Sequence, residues 1–172
     1  MKKFKKFIAM CMTAVMIMST MCVGAFASEN VITVIEGENG RWEHIGNIDS
    51  IMPLATDNQL RQYTIPVGTA NYIDVSPNLL VHSGNENAIG IEIRNFTPQA
   101  AGLYFNIMNV TDGTWVESSW MGGRHMLTEG HSTYTFSDSY INAHRGDRFA
   151  VKMCTVAYEA TAKVRTYTAT SN

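Results

Sequence analysis

Two histidines and a carboxylate fall close together in "GGRHMLTEGH": His125, Glu129 and His131. Imidazole nitrogens and carboxylate oxygens ligate zinc, but such sites hold two ligands three to five residues apart on an element of fixed geometry. A six-residue gap in a Gly-rich stretch fixes no such geometry, so no metal is expected, and these three are the only candidates carried for one. Cys154 is the second reactive type. A nucleophilic thiolate needs a paired base or a positive neighbourhood. Its neighbours Met153, Thr155, Val156 and Ala157 read instead as strand and core, so the thiol is expected to behave as a small, half-buried hydrophobe. An intermolecular disulfide is the alternative for an unpaired secreted cysteine. GxSxG, HExxH, the phosphate-binding loop and the dinucleotide glycine fingerprint are all absent. The expectation is a non-catalytic chain without a cofactor.

Aromatic residues carry the stronger signal. In "GLYFNIMNV" Leu103, Phe105 and Ile107 alternate as an inner face, which turns Tyr104 and Asn106 outward. In "TWVESSWM" an inward Val116 places Trp120 in the core and presents Trp115 outward beside Glu117. Tyr104, Asn106, Trp115 and Glu117 together resemble the stacking platform of carbohydrate-binding sandwiches. There, apolar sugar faces lie on rings and hydroxyls meet polar neighbours. The alternative is that Trp115 packs at a sandwich edge.

The segment "HRGDRF" contains Arg145-Gly146-Asp147, which resembles the integrin-binding tripeptide. It also stands immediately before an alternating run that begins at Arg148, where a turn is required whatever the function. The turn is the expected role. Two Asn-x-Thr sequons, at Asn95 and Asn109, matter only in a glycosylating secretory pathway.

These residues need strands to position them. "AIGIEIRN" puts Ile89, Ile91 and Ile93 on one face and Gly90, Glu92 and Arg94 on the other, predicting an antiparallel strand with one face in water. Residues 103–121 read as a β-hairpin turning at Thr111-Asp112-Gly113. "STYTFS", "RFAVKMCTVAY" and "AKVRTYTAT" follow as strands, and "RQYTIPV", "NYIDV" and "NLLVH" precede as shorter ones. Pro66 marks "RQYTIPV" as an edge strand or a bulge. No ten-residue stretch has helical periodicity. The predicted fold is all-β, an antiparallel β-sandwich, Ig-like or jelly-roll-like, with about eight short strands.

The chain ends set the compartment. Lys2, Lys3, Lys5 and Lys6, an apolar run to about Val23, and Ala25-Phe26-Ala27 form the three parts of a secretory signal over residues 1–27. Its removal takes away Cys11 and Cys22 and leaves nine basic against fifteen acidic residues. Such a charge does not attract nucleic acid, and no membrane span is expected after signal removal. Residues 28–60 carry six acids against Arg41 and read as an acidic leader, a linker, a propeptide, or an edge strand followed by a long loop. Trp42 argues for the last of these, because a large aromatic finds something to pack against. The sandwich is assigned to residues 61–172. The composite expectation is a secreted, extracellular protein that binds a carbohydrate or an extracellular protein partner, or contributes to an extracellular assembly. A small secreted hydrolase without a recognisable motif and a processed toxin or bacteriocin-like effector are the alternatives.

Overall fold

Strict alternation of isoleucine with other residues builds the central strand of the molecule. In the computed structural model, which describes residues 31–46, 59–76, 79–82, 84–124, 126 and 129–171, Ile89, Ile91 and Ile93 are each at most 1% exposed. Among the described residues, twelve strands run in chain order as β1 (Val31–Glu36), β2 (Gly40–Ile45), β3 (Arg61–Ile65), β4 (Ile73–Asp74), β5 (Leu80–Val81), β6 (Ala88–Thr97), β7 (Leu103–Asn109), β8 (Thr114–Trp115), β9 (Met121–Gly123), β10 (Gly130–Phe136), β11 (Arg148–Thr155) and β12 (Ala160–Ala169). A short α-helix, α1 (Asp138–Ala143), is capped by the Ser137 hydroxyl, which accepts from Tyr140 N.

The first sheet has the order β1-β2-β10-β6-β12-β3; in the second, β4 and β5 pair with β11, β11 with β7, and β7 with β8 and β9. Every named pairing is antiparallel. The fold is therefore an all-β sandwich, with more strands than the sequence reading counted because β1, β2 and the very short β8 and β9 are resolved separately. β3 lies at a sheet edge, where Pro66 removes no ladder hydrogen bond.

Trp42 closes the two sheets on each other. Its indole stacks on Phe105 of the opposite sheet at 4.4 Å and 11°, and meets Tyr134 edge-on at 5.2 Å. Phe136 and Phe149 make a second contact between the sheets at 4.9 Å. The segment 28–60, read as a leader, linker, propeptide or edge strand followed by a long loop, contributes to the sandwich. Over 31–46 that segment is a hairpin inside it, with β2 paired along its whole length to β10. Trp42 is the physical reason: at 1% exposure it fills space that no residue from 61 onward fills. The compact unit runs from Val31 to Asn172. The signal read at 1–27, and residues 47–58 of the expected leader, lie outside the described residues. Among the described residues no helix is long and apolar enough to cross a membrane.

A bulge at the end of β6 re-aims one side chain. Asn95 has φ 56°, and the register between β6 and β12 shifts between Thr161 and Lys163. One extra residue flips the alternation, so Phe96 returns to the core at 2% exposure. The expectation that Gly90 and Glu92 face water is also corrected. Glu92 is 2% exposed and forms ion pairs with Arg94 (2.5 Å) and Arg165. Gly90 lies under the Tyr167 ring, where an added Cβ would come within 2.0 Å of it.

Candidate functional site

β7 and β11 present alternate side chains on the outer face of the second sheet, and the aromatic residues gather there. Met108 pairs with Trp115, Lys152 with Asp74 and Cys154 with Tyr104. Trp115 is 36% exposed and Tyr72 38%. Their rings meet edge-on at 5.2 Å, and Trp120 joins both, at 5.4 Å from Trp115 and 5.7 Å from Tyr72. Edge-on and tilted contacts of this kind suit the ring quadrupole and hold each ring in place without covering it. Lys152 Nζ sits 5.9 Å from the Tyr72 centroid and pairs with Asp74 at 2.9 Å.

Trp120 was expected in the core, and it lies half-buried in this patch instead. Alternation fails because residues 116–120 leave the ladder between β8 and β9. Val116 points inward as expected, but the five-residue detour resets the parity, and Met121 takes the inner position. Tyr72 was not singled out, although Val75 in the same "NYIDV" run points inward.

Two members of the expected platform are not on it. Glu117 is 3% exposed and turned towards the turn between β1 and β2. It accepts hydrogen bonds from Glu38 N (2.6 Å), Asn39 N (3.1 Å) and the Tyr134 hydroxyl (2.6 Å). A carboxylate so supplied with donors is stable out of water. That proximity also burdens Tyr134: burial first, and then the bond to Glu117, pushes its hydroxyl well above the ordinary tyrosine range. A side chain at Gly37 would displace the Glu117 carboxylate, since a Cβ there would meet Glu117 Oε1 at 2.4 Å. Asn106 is 2% exposed and donates from Nδ2 to the carbonyls of Glu117 (3.0 Å) and Ser119 (3.4 Å), fastening the detour to β7. Tyr104 is half-buried on the outer face. Of the four expected residues, only Trp115 is in the aromatic cluster, while Glu117 and Asn106 are the scaffold of the loop that carries it.

Beside the patch, the detour and the β1–β2 turn enclose a cleft of about 390 Å³. Its walls include Glu36, Glu38, Glu117, Ser118, Ser119 and Trp120. Trp120 therefore belongs both to the ring cluster and to the cleft wall. A cleft of this size, with an aromatic wall and a few polar groups, has the general form of a small-ligand site.

Most of the remaining reactive residues are occupied within the fold, although His82 is 1% exposed with neither ring nitrogen hydrogen-bonded. His131 is 2% exposed and shares a hydrogen bond with the Tyr167 hydroxyl through Nε2, and its pKa is pushed down to about 4, chiefly by burial. Glu129 is exposed, and its carbonyl bonds to His44 Nε2 at 3.2 Å. His125 lies outside the described residues. His44 is fully buried, with Nδ1 bonded to Ser132 Oγ at 2.6 Å, and burial lowers its pKa. Asp112, His144 and Asp147 are the one group of three metal-type ligands among the described residues, with candidate atoms within 4.8 Å of one another. The His144 ring bonds through Nδ1 to the Tyr140 carbonyl at 2.9 Å. Cys154 is fully buried, not half-buried, and desolvation raises its thiol to about 11, so in this fold it cannot reach a second chain to form a disulfide.

The Arg-Gly-Asp tripeptide is the turn between α1 and β11. Arg145 donates to the Gly84 carbonyl (2.8 Å) and to Asn142 Oδ1, Gly146 has φ 88°, and Asp147 Oδ2 accepts from Asn109 Nδ2 at 2.6 Å. The same bond buries the second sequon, since Asn109 has no exposed surface, whereas Asn95 is exposed. No family model, curated protein or solved structure matches the chain, so its function is argued from this geometry alone.

Proposed function

We propose that this is a secreted, non-catalytic protein that binds an extracellular glycan on the outer face of its second sheet. The observation that carries the reading is the open Tyr72–Trp115–Trp120 cluster, which adjoins a cleft walled by Trp120, serine hydroxyls and carboxylates. Pyranose rings have apolar faces that stack on indoles and equatorial hydroxyls that need acceptors nearby, and both are within one ligand's reach here. The tripartite signal over residues 1–27 supports the extracellular setting. The non-catalytic reading is supported by Glu117, the buried carboxylate of the cleft, because both its oxygens accept bonds from within the chain.

Titrating intrinsic tryptophan fluorescence against a panel of neutral, basic and acidic oligosaccharides tests the proposal. At least one class should shift the emission saturably, and Trp115→Ala should abolish the binding while leaving the circular dichroism spectrum unchanged. Silence from the whole panel would remove the glycan reading and leave an extracellular protein as the partner to seek.

A further inference from the structure

The walls of the cleft are chemically one-sided. They carry three carboxylates, Glu36, Glu38 and Glu117, and no lysine, arginine or histidine. Glu117 is spent on the β1–β2 turn, but Glu36 and Glu38 are both exposed. Glu38 accepts from the Ser118 hydroxyl through Oε1 at 2.8 Å, which leaves its second oxygen free. Glu36 touches Arg41 only at 3.5 Å, and Arg41 makes its shorter contact, 3.0 Å, with Glu43. One guanidinium is thus shared between Glu36, which lines the cleft, and Glu43, which does not, so the carboxylates around the cleft outnumber the bases.

Several of the donors nearby are committed within the chain. Asn39 Nδ2 donates to the Val116 carbonyl at 2.6 Å, Ser118 donates to Glu38, and the main-chain N–H groups of Glu38 and Asn39 donate to Glu117. The cleft is therefore richer in acceptors than in donors, which favours an occupant that brings donors. The aromatic wall points the same way, because the negative face of an indole attracts a cation. The protein already places one cation, Lys152, over the Tyr72 ring of this patch.

Building on the glycan reading, we propose that the cleft selects an amine-bearing sugar: a glycan with free 2-ammonium groups, held by Glu36 and Glu38 and stacked against Trp120. An ammonium supplies three donors and a positive charge to a site whose walls carry carboxylates and no basic residue. A neutral sugar supplies hydroxyl donors without the charge, and an acidic sugar meets like charge.

Three tetrasaccharides separate these cases: tetraglucosamine, its fully N-acetylated form, and tetragalacturonate. Fluorescence titration at pH 6 should give a Kd for tetraglucosamine about tenfold below that of the acetylated form, as one added close ion pair can supply, with tetragalacturonate weakest. In Glu36→Gln/Glu38→Gln the first two should converge, since both side chains are exposed and the amides keep their shape. Raising the salt to about 0.5 M should produce the same convergence in the unaltered protein, through screening, so the test does not depend on the variant folding. Equal affinity for the amine and its acetylated form at low salt overturns the charge selection and leaves glycan binding intact. Tightest binding of tetragalacturonate overturns it too. Failure of all three, with every other oligosaccharide also silent, removes the underlying glycan reading.

Discussion

On the outer face of the first sheet Glu92 and His131 are each 2% exposed, whereas on the outer face of the second Tyr72 and Trp115 are 38% and 36% exposed. Residue type alone suggests the reverse. The charged face is sealed by its own side chains: Arg94 and Arg165 close over the Glu92 carboxylate, and the Tyr167 ring lies flush against the backbone of Gly90. Charge-assisted bonds make that withdrawal from water tolerable. The aromatic face has the means to hold its rings, through mutual edge contacts, but nothing among the described residues that covers them. Full burial of a large apolar side chain would stabilise the fold by about 1.5–3 kcal/mol, so rings held in place yet left open form a surface suited to a ligand. One face serves stability, and the other is available for recognition.

If that division is right, acid should attack the first face hardest. His131 is held neutral by burial, a tendency opposed by Glu92 and reinforced by Arg165 and His44, which puts its pKa at about 4. The unfolded chain takes up the proton near pH 6.5 and the folded chain does not, so the stabilisation is complete above pH 6.5 and is lost as the pH falls through 4. The difference corresponds to about 3 kcal/mol. Urea midpoints measured from pH 7 to pH 4 should fall accordingly. His44 and His82, also lowered by burial, act in the same direction, so His131→Gln isolates this contribution by flattening part of the slope. An unchanged slope in that variant would remove His131 from the account.

Gly90→Ala probes the same face without changing a charge. A Cβ within 2.0 Å of the Tyr167 ring forces that ring off the strand and strains its bond to His131. Overpacking of this kind costs about 1–3 kcal/mol. A loss below about 0.5 kcal/mol in chemical denaturation would mean the ring does not close the face, and the contrast between the two sheets would weaken.

Much of this architecture is legible in the residues, and the failures have a common cause. Ile89, Ile91, Ile93 and Val116 follow simple alternation, and they lie where it puts them. Alternation also assigns Gly90 and Glu92 to a face, but it cannot say that Tyr167 and Arg165, more than seventy residues later, will cover them. The place of Trp42 is dictated by its size rather than by its acidic neighbourhood, so charge alone cannot place residues 31–46 in the sheet. At the site, Trp115 was readable because it immediately precedes the break in the ladder. Trp120 and Glu117 lie beyond that break, where Ser118-Ser119 interrupts the strand and no period survives. Glu117 has its partners in Gly37 to Asn39 and Tyr134, which no local pattern connects to it.

The smallest expected change in stability is the most discriminating. Trp115→Ala removes an open indole whose contacts are the edges of Tyr72 and Trp120. Such ring pairs contribute about 0.5–1.5 kcal/mol beyond the area they bury, and surface substitutions elsewhere stay within about 0.5 kcal/mol. With two such contacts, each at the low end of that range because the rings are partly open to water, the expected loss is about 1 kcal/mol. That is at the lower end of the loss expected for Gly90→Ala, although a far larger side chain is deleted. A thermal or urea melt measures it directly. Were Trp115→Ala to cost about 3 kcal/mol, as truncation of a core aromatic does, the indole would be packing rather than waiting for a ligand. The two outer faces would then differ only in composition. A small loss together with loss of glycan binding is the combination that ties exposure on this face to recognition, because a structural indole cannot give the first and an idle one cannot give the second.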